Sequence, residues 1–320
     1  MILAFLSGCQ KTEDEGIYIT FIKTSRSQRQ TIYYFNINDE EVYSMKSLHP
    51  NLRSQSGAYN RDKQRIYYSA MTEDGHDEQL WEYNIETDER TQLIDGAYGI
   101  NYIVSADDSV YLVAWCHDNE YGARNFYRYD IKSKSLELLQ DDPTFNVGVL
   151  SYSSQNKEFM FAGEDAVESW HRHDIQSDEY PFYPPANNVY SMKDNEIKLV
   201  FSTEDNEDIV ALAMNDKYIL YRTRSVSWTL YVNDSNSVEE IRHVYLMNRE
   251  TNEKTELTDE IFNSINSFIY LANNDDLYCI YYSDDYLQII KLNLNDLSSV
   301  HQIYREVAEY YSFSDGLALN

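Results

Sequence analysis

A repeat that runs the length of the chain constrains its fold more than any other feature. A short segment that ends in Asn or Asp and leads into a polar turn recurs six times. The Asn or Asp residues of the six copies are Asn36, Asn84, Asp130, Asp174, Asn248 and Asn293. Successive copies are 48, 46, 44, 74 and 45 residues apart, and four of these five steps match the ~40–45 residues, or slightly more, of one four-stranded propeller blade.

The residues around each copy predict strands and hairpins. A β-rich strand lies upstream, as in residues 110–115, and a hairpin follows, as in residues 84–93. The side chains one and three positions before each Asn or Asp lie on one face of a strand, and most are aromatic, as in Tyr83 and Trp81. Large pairs of this kind are suited to packing one blade on the next. No segment shows a sustained helical period, so the sequence predicts an all-β chain.

The two ends of the chain predict how the ring closes. Residues 17–22 already have the pattern of a second strand, whereas residues 309–316 match a first strand and its turn. A C-terminal strand that completes the N-terminal blade closes the ring and protects its sheet edges. We therefore predict a six-bladed β-propeller of four-stranded antiparallel blades, with seven blades as the alternative.

This pattern resembles the TolB-type six-bladed β-propellers from residue 17 to residue 320. The resemblance rests on a strand followed by Asn or Asp, Ile, any residue, and Thr or Ser, as at Asn84 and Asp130. The chain departs from that family's Ser-Pro-Asp-Gly turn, because residues 105–108 read Ser-Ala-Asp-Asp.

The N-terminus has the features of an export signal. Leu6-Ser7-Gly8-Cys9 follows an apolar run and resembles the lipobox of bacterial lipoproteins, which implies cleavage before Cys9 and acylation of its thiol. No Lys or Arg precedes Lys11, unlike a full signal peptide. We predict a remnant signal peptide over residues 1–8, a tether over 9–16 and one propeller domain over 17–320. The alternative is a buried N-terminal strand with Cys9 as an ordinary thiol.

The irregular 74-residue step predicts insertions near residues 184–203 and 225–240. Binding residues concentrate on loops held by a rigid scaffold, so Trp228 and Tyr231 are candidate binding residues, with loop decoration as the alternative.

His171 and His173 replace the aromatic pair of the fourth repeat. Their spacing is compatible with metal binding or a pH-sensitive contact, but we favour packing and expect no metal and no cofactor.

Composition excludes several classes of function. The chain has 26 Lys and Arg against 54 Asp and Glu, for a net charge of −28, which argues against nucleic-acid binding.

Cys116 and Cys279 lie in apolar runs and are expected to be buried rather than paired. The sequence has no Gly-x-Ser-x-Gly, His-Glu-x-x-His or phosphate-loop motif.

These observations favour a lipid-anchored propeller of the bacterial cell envelope that binds or scaffolds a protein partner. The first alternative is a lyase or glycosidase-like enzyme with its site at the mouth of the central channel. The second is a glycan-binding envelope protein that uses exposed Tyr and Trp. The membrane contact is expected only through the lipid.

Overall fold

The computed structural model describes residues 18–24, 30–38, 40–44, 56–60, 63–72, 75–168, 186–204, 207–226, 240–283, 286–307 and 313–314. In these residues 24 strands form six sheets of four antiparallel strands, arranged as the blades of a ring. The predicted six-bladed propeller is therefore confirmed, and the seven-bladed alternative is wrong. No helix in this part of the chain is long and apolar enough to cross a membrane.

The strands are numbered in chain order and belong to consecutive blades. Blade one contains β1 (Tyr18–Thr24), β2 (Gln30–Asn36) and β3 (Val42–Ser44), and blade two contains β4 (Gly57–Asn60), β5 (Arg65–Met71), β6 (Glu78–Asn84) and β7 (Glu89–Gln92). Blade three contains β8 (Ala97–Ala106), β9 (Ser109–Cys116), β10 (Asn125–Asp130) and β11 (Ser135–Leu138). Blade four contains β12 (Phe145–Ser153), β13 (Glu158–Asp165), β14 (Asn188–Lys193) and β15 (Glu196–Ser202). Blade five contains β16 (Glu207–Met214), β17 (Tyr218–Val226), β18 (Glu240–Asn248) and β19 (Lys254–Glu256). Blade six follows a short helix, Ile261–Ser264, and contains β20 (Ile265–Leu271), β21 (Asp276–Ser283), β22 (Tyr286–Asn293) and β23 (Asp296–Val307).

The ring is closed by a strand from the C-terminal end of the chain. The final strand, β24 (Phe313–Ser314), pairs antiparallel with β1 and takes the first position of blade one. Ser314 lies opposite Ile22, and Phe313 lies opposite Lys23. The predicted closure is confirmed, because the first and last parts of the chain share one sheet.

The repeated Asn or Asp holds the turn between the third and fourth strands. The side-chain oxygen of Asn84 accepts the backbone N–H groups of Glu86 and Thr87 at 3.0 and 3.2 Å. Asn248 does the same for the two residues of its own turn at 2.9 and 3.0 Å. Asn and Asp stabilise turns in this way with their own side chains, which explains why the repeat is detectable in a chain with few glycines.

The fourth blade corrects one assignment made from the sequence. Its third strand is β14, not the segment around Asp174. The β14–β15 hairpin turns through Asp194 and Asn195, whose φ angles are 53° and 64°, so it uses a two-residue turn with both central residues in the left-handed region. That turn lacks the repeated side-chain cap, which is why the repeat was misplaced. Residues 188–202, which fall within the insertion predicted near residues 184–203, are consequently the third and fourth strands of this blade.

The predicted aromatic faces form the packing surfaces between blades. Phe35, Tyr83 and Tyr129 are buried at the position just before the repeated residue. In blade four the same position, counted from the end of β14, is occupied by buried Met192, with half-buried Tyr190 two residues earlier. These side chains therefore stabilise blade-to-blade packing.

The connections divide between two ends of the propeller. Because the strands alternate in direction, one end carries the turns from first to second and from third to fourth strands, and we call it the turn face. The other end carries the connections from second to third strands and between blades. We call it the insertion face, since the connections 166–187 of blade four and 227–239 of blade five leave from it.

Candidate functional site

The turn face is occupied by polar contacts between neighbouring blades. Arg249 of blade five donates to both carboxylate oxygens of Glu158 in blade four, at 2.9 and 2.7 Å. Further contacts of this kind join Lys63 to Asp108, Lys157 to Asp107, the Asn215 amide to the carbonyl of Ala272, and Glu40 to Lys291 and His301. These side chains act in holding the ring together, so they have less capacity to bind a partner.

One buried cluster contains side chains from the inner strands of three blades. Val104, Leu150, Tyr152 and Ile269 come from the inner strands of blades three, four and six and belong to one buried cluster. Tyr270 of the same cluster has its pKa raised to about 12, mainly by burial.

A polar cluster lies at the insertion face of blades three to five. Its first part is a chain of hydrogen bonds in which the Arg124 Nε–H donates to the Asn146 side-chain oxygen at 3.0 Å. The Asn146 amide then donates to Glu164 Oε1, also at 3.0 Å. In blade five, Arg224 donates to Asp208 at 2.9 Å. We call Arg124, Asn146, Glu164, Asp208 and Arg224 the inner polar cluster.

The electrostatics of this cluster centre on Glu164. Partial burial raises the pKa of the Glu164 carboxyl, and the Asp208 carboxylate acts in the same direction. The hydrogen bond from Asn146 and the charge of Arg124 oppose this rise in pKa. Carboxyl groups with raised pKa values are suited to proton transfer, so Glu164 is a candidate proton donor or acceptor.

Close backbone packing positions the cluster. The inner strand β12 carries a bulge between Val147 and Val149, and bulges commonly redirect side chains near binding sites. A Cβ atom at Gly163 would lie 2.3 Å from the Asn146 carbonyl oxygen and 2.8 Å from the Phe145 ring. Glycine at position 163 therefore permits the approach of the two strands that carry Asn146 and Glu164.

A second feature of the insertion face is a set of exposed aromatic side chains on blade three. Tyr98 and Trp115 are 51% and 41% exposed at the insertion end of β8 and β9, and Tyr121 is exposed on the next connection. The ring of Tyr98 lies 3.9 Å from that of His117, centroid to centroid. The guanidinium of Arg124 lies 5.8 Å from the centre of the Trp115 ring. We call Tyr98, Trp115, His117 and Tyr121 the blade-three patch.

The candidate residues predicted from the sequence all lie outside the described residues. This applies to Cys9, His171, His173, Trp228 and Tyr231, so those predictions stay predictions. Among the residues that are described, no group of three or more His, Cys, Asp or Glu side chains is arranged to hold a metal ion. Cys116 and Cys279 are free and buried, as predicted.

The sequence alone did not identify the inner polar cluster or the blade-three patch. Tyr98 and Trp115 are residue types that mostly fill the core of this chain, which has 30 Tyr. Glu164 is one of 54 acidic residues. Nothing in a single sequence distinguishes such residues from their many buried or solvated counterparts.

Comparison with known proteins supports the fold. The chain matches no family model and no curated protein sequence. Among solved structures it is similar to TolB from Acinetobacter baumannii, with a TM-score of 0.57 and 14% identity over 95% of this chain and 66% of that protein, slightly less than two thirds of its length. A structure from Agrobacterium tumefaciens assigned to TolB gives a TM-score of 0.57 and 11% identity, covering 95% and 94% of the two chains.

Enzymes share the same architecture. Oligogalacturonate lyase from Vibrio parahaemolyticus gives a TM-score of 0.53 and 13% identity, covering 91% of this chain and 74% of the lyase. At these identities the similarities show the fold alone. The chain has the TolB-like six-bladed propeller fold.

Proposed function

We propose that this chain is a lipid-anchored envelope protein whose propeller binds a protein partner through its insertion face. The observation that carries the proposal is the blade-three patch, because Tyr and Trp are enriched at the energetically important centres of protein interfaces. The contrast between the two faces supports it, since the turn face is committed to contacts between blades. In this proposal residues 1–8 are a signal remnant, 9–16 the tether and 17–320 the propeller.

The binding part of the proposal is tested by crosslinking in envelope fractions, followed by affinity capture. The test variant is Tyr98→Ser with Trp115→Ser. The control is Leu199→Ser with Val300→Ser, which removes two side chains of similar exposure, 57% and 47%, from the outer strands of blades four and six. We expect the test variant to lose a crosslinked partner that the control retains. Equal recovery of that partner by both variants would refute binding through this patch.

The anchor is tested separately by fractionation. Acylation of Cys9 predicts that Cys9→Ala, or globomycin treatment of cells, moves the chain from the membrane fraction to the soluble fraction. Cys116→Ala is the matched control, because that thiol is buried in blade three and its loss should leave fractionation unchanged. Membrane association that survives both Cys9→Ala and globomycin would exclude the lipid anchor.

An enzyme acting on an acidic glycan is the second candidate, and Glu164 favours it. A half-buried carboxyl with a raised pKa, close to the guanidinium of Arg124, has the groups needed for proton transfer beside a bound anion. Oligogalacturonate lyases share the fold. The test is release of unsaturated products from oligogalacturonate, with Glu164→Gln as the variant that should abolish turnover. No turnover by the unmodified chain would remove this candidate.

A further inference from the structure

We propose that the blade-three patch recognises a basic polypeptide segment, in which Lys or Arg side chains pack on the exposed aromatic rings. This inference rests on the proposed function, since it specifies the chemistry of the partner at the same face. Three observations carry it, namely the charge around the patch, the cation already present beside Trp115, and the hydrogen bonds that hold the patch in place.

The patch is bordered by acidic side chains. Asp95 and Asp118 flank Tyr98 and His117, and Glu120 precedes Tyr121 along the chain. Asp141 and Asp142 lie on the next blade-to-blade connection, and all five of these acids are exposed. Two basic side chains lie nearby, and each makes a contact within the chain. Arg124 donates to Asn146, and His117 lies 3.2 Å from Asp77. The five carboxylates outnumber these two side chains, so the surface is negative and favours a partner of opposite charge.

The aromatic rings are suited to a cationic side chain. The Arg124 guanidinium lies within ~6 Å of the Trp115 ring centre, the range of a cation–π interaction. Tyr98 is the most exposed member of the patch at 51% and offers ring surface to solvent. A neutral apolar segment would use the rings but would leave the surrounding carboxylates without ionic partners. A basic segment would pack on the rings and also form ion pairs with the carboxylates.

Hydrogen bonds between three connections hold the patch in place. The backbone N–H of His117 donates to the Gly96 carbonyl at 2.7 Å. This bond joins the loop after β9 to the loop before β8. The Asn119 amide donates to the Pro143 carbonyl at 3.2 Å, and its side-chain oxygen accepts the Tyr121 N–H at 2.9 Å. A patch held in this way loses little conformational entropy when a partner binds.

The experiment measures the affinity of the purified chain for two fluorescein-labelled peptides by fluorescence anisotropy. One peptide alternates lysine with alanine, and the other alternates glutamate with alanine. We expect binding of the basic peptide only. Tyr98→Ser with Trp115→Ser should raise its Kd by about tenfold, the effect of losing ~1.4 kcal/mol. Thermal unfolding of each variant confirms that the propeller remains folded.

A charge-matched control separates recognition by the patch from attraction by the whole chain. The patch variant Asp118→Asn, Glu120→Gln, Asp141→Asn and the turn-face variant Glu86→Gln, Glu250→Gln, Glu253→Gln each remove three negative charges. We expect the Kd to rise about tenfold in the first and less than about twofold in the second. Equal weakening by both variants, or an unchanged Kd in the aromatic variant, would overturn the inference.

The result is distinguishable from failure of the proposed function. If crosslinking finds a partner that depends on Tyr98 and Trp115 but neither peptide binds, the binding function stands and the basic chemistry is wrong. If the basic peptide binds at the patch but no protein is crosslinked there, the recognition chemistry stands and the proposed protein partner is wrong.

Discussion

The ion pair between Glu158 and Arg249 gives the sharpest prediction about stability. The Glu158 side chain is 9% exposed and that of Arg249 is 23% exposed. Arg249 contacts both carboxylate oxygens, at 2.9 and 2.7 Å, and also donates to the Asn215 carbonyl at 2.9 Å. The perturbation is Arg249→Met, which keeps an unbranched side chain of related length but removes the charge and all three hydrogen bonds.

The expected loss of stability follows from the Glu158 carboxylate, which stays buried without its partner. Removing one partner of a buried pair costs ~3–5 kcal/mol, because the other charge stays buried without compensation. Arg249 is partly exposed, so water reaches the site and the lower end, about 3 kcal/mol, applies. For 320 residues the entropy of unfolding is about 0.7 kcal/mol/K, from ~2.1 cal/mol/K per residue. The expected decrease in Tm is therefore about 4 °C.

The assay is differential scanning calorimetry of a double-mutant cycle formed by Arg249→Met, Glu158→Gln and the combination. The combined variant should recover most of the loss, since no buried charge remains. The matched control is Arg128→Met, whose partner Glu137 lies at 2.5 Å but is 58% exposed. Exposed pairs contribute ~0.2–1 kcal/mol. The reasoning is refuted if Arg249→Met costs no more than Arg128→Met, or if the two single losses simply add.

Three further predictions follow from single positions. Gly163→Ala should lower the free energy of unfolding by ~1–3 kcal/mol through overpacking. The control Gly148→Ala should lower it less, because its Cβ would lie 3.6 Å from the nearest atom. Equal urea midpoints for the two variants would contradict the close-packing argument. The raised pKa of Glu164 means that the folded state holds the proton more tightly, so its contribution to stability is lost as the pH rises from the ordinary value of 4.5 through the folded pKa. Glu164→Gln should therefore gain in Tm relative to the unmodified chain as the pH rises through this range, and a constant difference in Tm would exclude the linkage. Cys116 and Cys279 are buried, and burial raises the pKa of both thiols, so neither should react with a thiol reagent until the chain is unfolded; labelling of the native Cys9→Ala variant would show otherwise.

The parts of the fold that could be predicted are those specified by local sequence patterns. The Asn84 and Asn248 caps lie within their own hairpins, so their spacing records the blade length directly. The aromatic faces follow from strand alternation, and the burial of Cys279 follows from its apolar neighbours. The third strand of blade four was predicted in the wrong place because its turn, Asp194–Asn195, does not use the Asn or Asp cap by which the other blades were recognised.

The sequence by itself determined that this chain is an all-β propeller with aromatic packing surfaces, because those properties depend on residues close together in the chain or on the phase of a repeat. It left six and seven blades as alternatives, and the six four-stranded sheets of the structure decided between them. Only the tertiary structure decided which of its many acidic and aromatic residues form a surface. Glu158 and Arg249 are 91 residues apart, and Arg124 reaches Asn146 from another blade. The approach of separate strands at a blade junction sets such contacts, and the identity of neither residue reveals it.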